Sequence, residues 1–267
     1  MSAPQSERGV FVLSIDLPPI RSIGPTNGLV DLLKVVSGFG VAATWYSPDP
    51  ASSADVERIL AVMPAQEIGI SGDSTWATTG VGRTLFLREL SRRVARCESS
   101  GYSITSLAVP QRVAAEHLDL AVKHGIQCVR ISPNLAPTSL LTRSLALLRS
   151  SAAVGDVPRI GRFGLWQAPV SLRFPERERY SSPAVVRQAQ RGLQQAMDHG
   201  YFHLVIDLAL GSDVRGSLAK TVEKILAAAR TRATSEVAVL SVRQLVHRLT
   251  SQRRAVPAQS FLRRRAA

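Results

Sequence analysis

At 267 residues, 45% of them hydrophobic, the chain is long enough for one large α/β domain with a full core. Its net charge of +13 is carried almost wholly by arginine, because the 33 basic residues include only Lys34, Lys123, Lys220 and Lys224 as lysines. No apolar run approaches the roughly 18 residues of a membrane helix, so no membrane span is expected. The opening MSAPQSERGVFVLSID has neither a basic start nor a small-residue cleavage site, and Asp16 cuts its apolar run. It reads as a first strand and not a signal peptide, and the expected location is the cytoplasm.

In chain order, short apolar runs rich in β-branched residues predict strands at Val10–Ile15, Val41–Tyr46, Ile68–Ile70, Cys128–Ile131, Leu165–Val170, Phe202–Leu208 and Val237–Leu240. Between them, helical spacing of apolar residues predicts helices at Gly28–Ser37, Ala54–Val62, Arg83–Glu98, Ala114–His124, Thr138–Arg149, Pro183–His199 and Ser217–Arg230, with Val242–Leu249 after the last strand. Ser53 is placed to cap the second helix, and Gly200 to stop the sixth. Strands alternating with helices favour a parallel barrel or a doubly wound sheet. The stretches Ser150–Phe163 and Arg173–Ser182 read as surface loops.

No repeat or linker divides the chain, so one domain is expected over residues 1–250, followed by a basic, disordered tail over 251–267. Six arginines and no acid fall in the last twenty residues, and removing them leaves 13 − 6 = +7. Such a tail is either a solvated end or a docking site for an anionic partner; no nucleic-acid motif accompanies it. Cys97 and Cys128, the only cysteines, lack CxxC or Cys/His spacing and read as reduced, packed thiols.

Five segments carry more than a secondary-structure signal. They are VLSIDLPP at Val12–Pro19, VAATWYS at Val41–Ser47, EIGISGDST at Glu67–Thr75, SLAVPQ at Ser106–Gln111 and YFHLVIDLAL at Tyr201–Leu210. In order and spacing this set resembles the polysaccharide deacetylase (NodB-homology, family-four carbohydrate esterase) pattern of TFDDGP, KATFF, EIGNHTxxH, RxPxG and FHIWFHP. The resemblance spans residues 9–250 and implies an incomplete, distorted (β/α)7 barrel. It places Asp16 at the family's general base and Asp207 at the His that serves as proton donor. Leu17 stands where a metal-binding Asp would be, Ser71 and Thr75 where the two metal-binding His would be, and Ala108 where an Arg would hold the catalytic carboxylate. A zinc-type site needs about three N, O or S donors and one open position, which a leucine and two hydroxyls do not supply. No metal and no other cofactor is therefore expected.

The remaining polar residues have competing readings. Asp16, ahead of Pro18 and Pro19, is either a turn former or a surviving site residue. Asp73 follows Gly72 and reads as an Asx turn or as a ligand. Asp207 interrupts an apolar strand, where an unpaired acid is costly, so an arginine or a backbone donor should meet it. Arg130, ending CVRI, is an exposed strand-end residue or a base in the cleft. Trp76 and Trp166 are core residues or stacking surfaces for a sugar. The function expected is that of a deacetylase-like protein without metal-dependent catalysis, binding a carbohydrate, such as an acylated sugar, or a partner in the former cleft. The alternative is a hydrolase of a sugar acetamido C–N bond, with a metal held by Asp16, Asp73 and Asp207.

Overall fold

In the computed structural model, which describes residues 9–19, 27–109, 117–131, 157–174, 183–208, 217–233 and 237–255, the first apolar run becomes the central strand. This strand, β1 (Gly9–Asp16), is buried along its whole length, as a parallel strand covered on both faces must be. It leads to α1 (Asn27–Phe39), β2 (Thr44–Ser47), α2 (Ala54–Val62), β3 (Glu67–Ser71), α3 (Arg83–Ser99), β4 (Ser106–Val109), α4 (Leu118–Lys123) and β5 (Cys128–Ile131). The second part holds β6 (Arg159–Ile160), β7 (Trp166–Pro169), β8 (Leu172–Phe174), α5 (Pro183–His199), β9 (Tyr201–Asp207), α6 (Ser217–Ala233), β10 (Val237–Leu240) and α7 (Val242–Ala255). The expected caps form: Ser53 Oγ accepts from the Val56 amide, with Asp55 and Glu57 in the first turn of α2, and Gly200 ends α5 at φ +82°.

The strands form one sheet in the order β6-β7-β5-β4-β3-β2-β1-β9-β8, with β10 against the first half of β1. All pairings are parallel except β6 with β7. Only Val170 and Ser171 separate β7 from β8, yet β7 lies on β5 and β8 on β9. One stretch of chain thus leaves one end of the sheet and arrives at the other, curling it into the incomplete, distorted (β/α)7 barrel expected from the sequence. Alternation divides each strand. Phe11, Leu13, Ile15 and Leu17 join the main core beneath the helices, whereas Val10 and Val12 join an interior cluster with Cys128, Ala168 and Tyr201. Val242, Leu245 and Val246 of α7 belong to that cluster and close the N-terminal end of the barrel.

Two loop expectations are corrected. Arg173 and Phe174 lie in β8, and Arg159 and Ile160 pair with β7, because isolated two- and three-residue strands give no period to read from sequence. Ser106–Val109 is likewise a strand where only a motif was read. Helix α7 runs to Ala255, five residues into the stretch assigned to the tail. The predicted helix Thr138–Arg149 and the tail beyond residue 255 lie outside the described residues. Cys97 and Cys128 are both buried and unpaired; burial pushes both thiols up, Cys97 to about 11.

Candidate functional site

Barrel chemistry belongs at the C-terminal ends of the parallel strands, and four charged side chains meet there. Asp16 ends β1 and Asp207 ends β9, and the register sets the two acids side by side. Arg130 reaches in from β5 and Arg173 from β8. Arg130 donates from Nη2 to Asp16 Oδ2 at 2.8 Å, while its Nη1 lies 2.7 Å from Asp16 Oδ1. Arg173 Nη2 bridges the two acids, 3.2 Å from Asp16 Oδ2 and 2.5 Å from Asp207 Oδ2. Two carboxylates and two guanidiniums balance. That balance allows Asp16, Asp207 and Arg130, respectively 7%, 5% and 2% exposed, to remain inside.

The layer below explains how Arg130 is held. Its Cζ lies 4.4 Å from the Tyr46 ring centroid, a cation–π contact in a buried setting. Gly69 makes room for that ring, since a Cβ there would come within 2.5 Å of Tyr46 Cε1 and 2.7 Å of Ser106 Oγ. Burial opposes the charge on Arg130, but Asp16, Tyr46 and Asp207 outweigh it and its pKa is raised. Burial likewise pushes the Tyr46 hydroxyl well above its ordinary value, against the pull of Arg130. Ala108, where the resemblance expects the carboxylate-holding arginine, is the register partner of Arg130. The guanidinium on Asp16 therefore comes from the neighbouring strand.

Deeper in the barrel, His203 is fully buried. Its Nδ1 is 3.0 Å from the Pro169 carbonyl and its Nε2 2.8 Å from Ser14 Oγ. A carbonyl only accepts, so Nδ1 carries the proton and Nε2 accepts from the serine. Burial, reinforced by Arg130, pushes the imidazole down to about 3, so it is neutral at ordinary pH. On β3 the Glu67 carboxylate accepts from Thr44 Oγ1 at 2.7 Å, Ser106 Oγ at 2.8 Å and the Arg243 amide at 2.7 Å, and Thr44 Oγ1 accepts from the Val242 amide at 2.8 Å. The Glu of the EIGIS segment thus caps the N-terminus of α7 from inside the barrel.

The structure brings together only part of the expected site. Asp16, Arg130 and Asp207 converge, and Asp207 has the arginine partner that its burial demands. Arg173 was missed as a site residue, because the three-residue strand that carries it gives no period to read. Trp76 is 1% exposed, packed near Phe86 with Arg93 Cζ 4.6 Å from its ring centroid, so it offers no open face to a sugar. Trp166 begins β7 beside Cys128, the first residue of β5, and packs on the interior cluster with α7 at the opposite end of the barrel from Asp16. Trp76 thus packs in the core, and Trp166, half-buried, packs on the interior cluster away from the charged mouth.

The residues present do not fit a metal. Leu17 is 4% exposed in the main core, Ser71 ends β3, and Thr75 lies in an exposed turn where its amide and hydroxyl both donate to Asp73 Oδ1. Asp73 is thus an Asx turn, as its sequence context suggests. Among the described residues no three His, Cys, Asp or Glu converge as a metal-holding group. The alternative set of Asp16, Asp73 and Asp207 is not gathered into one such group: Asp16 and Asp207 are paired with arginines, and Asp73 is tied to its own turn.

No family model and no curated protein sequence matches the chain. Solved structures do. A candidate polysaccharide deacetylase from Mycobacterium smegmatis superposes with a TM-score of 0.66 at 13% identity, covering 95% of this chain and 94% of that one. A CE4-family pseudoenzyme from Bacillus anthracis gives a TM-score of 0.51 at 12% identity, covering 91% of this chain and 66% of that one. A mutant described as a CE4-family pseudoenzyme with restored enzymatic activity gives the same score and identity, over 91% and 69%. Strand order, curl and these superpositions agree that the chain has the fold of the polysaccharide deacetylases.

Proposed function

We propose that this protein is a deacetylase-fold protein without metal-dependent hydrolysis, acting in the cytoplasm without a cofactor and binding a saccharide at the C-terminal mouth of the barrel. The observation that carries the reading is the ligand set: the positions that the resemblance gives to a carboxylate and two imidazoles hold Leu17, Ser71 and Thr75, and the described residues gather no other metal-binding group. A general base needs a lone pair within hydrogen-bond reach of the water it activates, and a Lewis acid needs ligands. Here a leucine and two hydroxyl side chains stand in place of those ligands, so Asp16, held by Arg130 and Arg173, has no metal-bound water to act on. Solved pseudoenzymes on the same fold support the view that the barrel persists where the reaction does not. Arg173, with a side chain 23% exposed, is the part of the cluster that reaches solvent, and its guanidinium is the group that would meet sugar hydroxyls.

The test joins composition, turnover and binding. Purified protein should hold no stoichiometric zinc, cobalt, nickel or manganese and release no acetate from acetylated chito-oligosaccharides. Calorimetry with the same oligosaccharides should show saturable binding that Arg173→Ala weakens. Near one metal per chain, removable by chelator together with acetate release, would end the pseudoenzyme reading. Absence of both metal and sugar binding would end the saccharide reading and leave a protein partner for the cleft.

A further inference from the structure

The described surface carries six exposed large hydrophobic residues, and three of them, Val157, Ile160 and Phe163, fall within seven consecutive positions. The segment is VPRIGRFG, residues 157–164. Its hairpin is built tightly: Ile160 pairs with Trp166, the Gly161 amide donates to the Leu165 carbonyl at 2.7 Å, and the Leu165 amide donates to the Arg162 carbonyl at 3.2 Å. Leu165, 1% exposed, anchors the turn, while Phe163, two residues earlier, is 58% exposed. Phe163 also stands at φ +60°, a left-handed conformation that is uncommon for a bulky side chain and costs energy to hold. Gly164 follows at φ +77°, so the backbone spends glycine where it can and strain where the aromatic is kept. Arg159 and Arg162 are exposed on the same turn, and residues 157–164 contain no acid and no amide side chain.

We infer that this hairpin tip is a docking element for an anionic lipid surface. An apolar wedge of Val157, Ile160 and Phe163 flanked by arginines has the chemistry of the membrane interface: apolar groups enter the acyl boundary while guanidiniums meet lipid phosphates. The net charge of +13 adds a long-range attraction to such a surface. A sugar polymer is the less suited occupant, because saccharide recognition uses hydrogen-bonding acids and amides beside the aromatic, whereas residues 157–164 carry none and the nearest amide, Gln167, lies against Gly161 at the base of the hairpin. The tip lies at the N-terminal end of β7, whereas Asp16 and Asp207 end their strands. Docking through it leaves the charged mouth facing away from the lipid.

The experiment uses the full-length chain and vesicles of phosphatidylglycerol and phosphatidylcholine, with pure phosphatidylcholine as control. In Phe163→Trp, indole emission should shift to the blue on the anionic vesicles and be quenched by lipids brominated on the acyl chain. The double variant Ile160→Ser/Phe163→Ser should partition at least about tenfold less well than wild type, since it gives up two large apolar side chains and burial of one is already worth about that factor. Phe163→Gly should keep or raise the thermal midpoint while partition falls, which separates docking from folding. Vesicle binding equal in wild type and the serine variant, or indole emission of the Phe163→Trp variant unmoved by vesicles, overturns the inference. So does a blue shift produced by polygalacturonate and not by vesicles.

Discussion

Residue chemistry sets how this barrel responds to pH. His203 ionises near 3 when folded and near 6.5 when unfolded, so between those values the unfolded chain holds the extra proton. Its contribution is complete above about 6.5 and is lost as pH falls toward 3, on the order of 5 kcal/mol in all. Urea midpoints between pH 4.5 and 6.5 should therefore fall with acidity, and His203→Asn, which keeps a donor for the Pro169 carbonyl, should flatten the slope. An unchanged slope would mean that the imidazole is hydrated in solution. The ion cluster makes a second residue-scale prediction. Arg130→Met leaves the buried Asp16 with only Arg173 and should cost about 3–5 kcal/mol. Asp207→Ala leaves Arg173 its contact with Asp16 and should cost about 1–3 kcal/mol. Denaturant midpoints for the two variants that reverse this order would show that Arg173, not Arg130, is the principal holder of Asp16.

Among the elements, α7 depends most on a single side chain. Its first amides are satisfied from inside the barrel, by Glu67 and Thr44, while Val242, Leu245 and Val246 seal the barrel end. Glu67→Ala removes the acceptor of the Arg243 amide and of two hydroxyls, and should cost about 1–3 kcal/mol. Hydrogen exchange locates the damage: protection at Val242 and Arg243 should fall well before that of α1, which touches none of these groups. Uniform loss across the chain would mean that α7 does not open on its own. The same element shows what motif reading leaves out, since the Glu of EIGIS is legible as a letter of the pattern and its role as a helix cap emerges only when residues 67 and 243 are brought together.

At the scale of the whole molecule, the decisive question is whether a divalent ion stabilises the fold. A ligand at a hundred times its dissociation constant adds about 2.7 kcal/mol, a shift that thermal unfolding resolves easily. Wild type should show no such shift with zinc or manganese. The triple variant Leu17→Asp, Ser71→His, Thr75→His would regain a metal only if the three positions pointed into one cleft. The structure instead puts Leu17 in the main core and Thr75 in an exposed turn. That variant should lose stability without gaining a zinc-dependent midpoint, and a zinc-dependent rise would place Leu17 in the mouth after all.

The sequence by itself determined the α/β alternation, the parallel strands that begin with Val10 and Val237, the caps at Ser53 and Gly200, and the absence of ligand-type side chains at 17, 71 and 75. These are local matters of period, turn chemistry and side-chain identity. It also required a partner for Asp207, because a buried acid within VIDL is costly alone. Only tertiary structure decided which partner. Arg173 is 34 positions from Asp207 and Arg130 is 114 from Asp16. No spacing rule links residues on different strands of a curled sheet. The positions of Trp76 and Trp166 were decided in the same way: what the neighbouring strands and α7 lay against a tryptophan at a strand end depends on how the sheet closes.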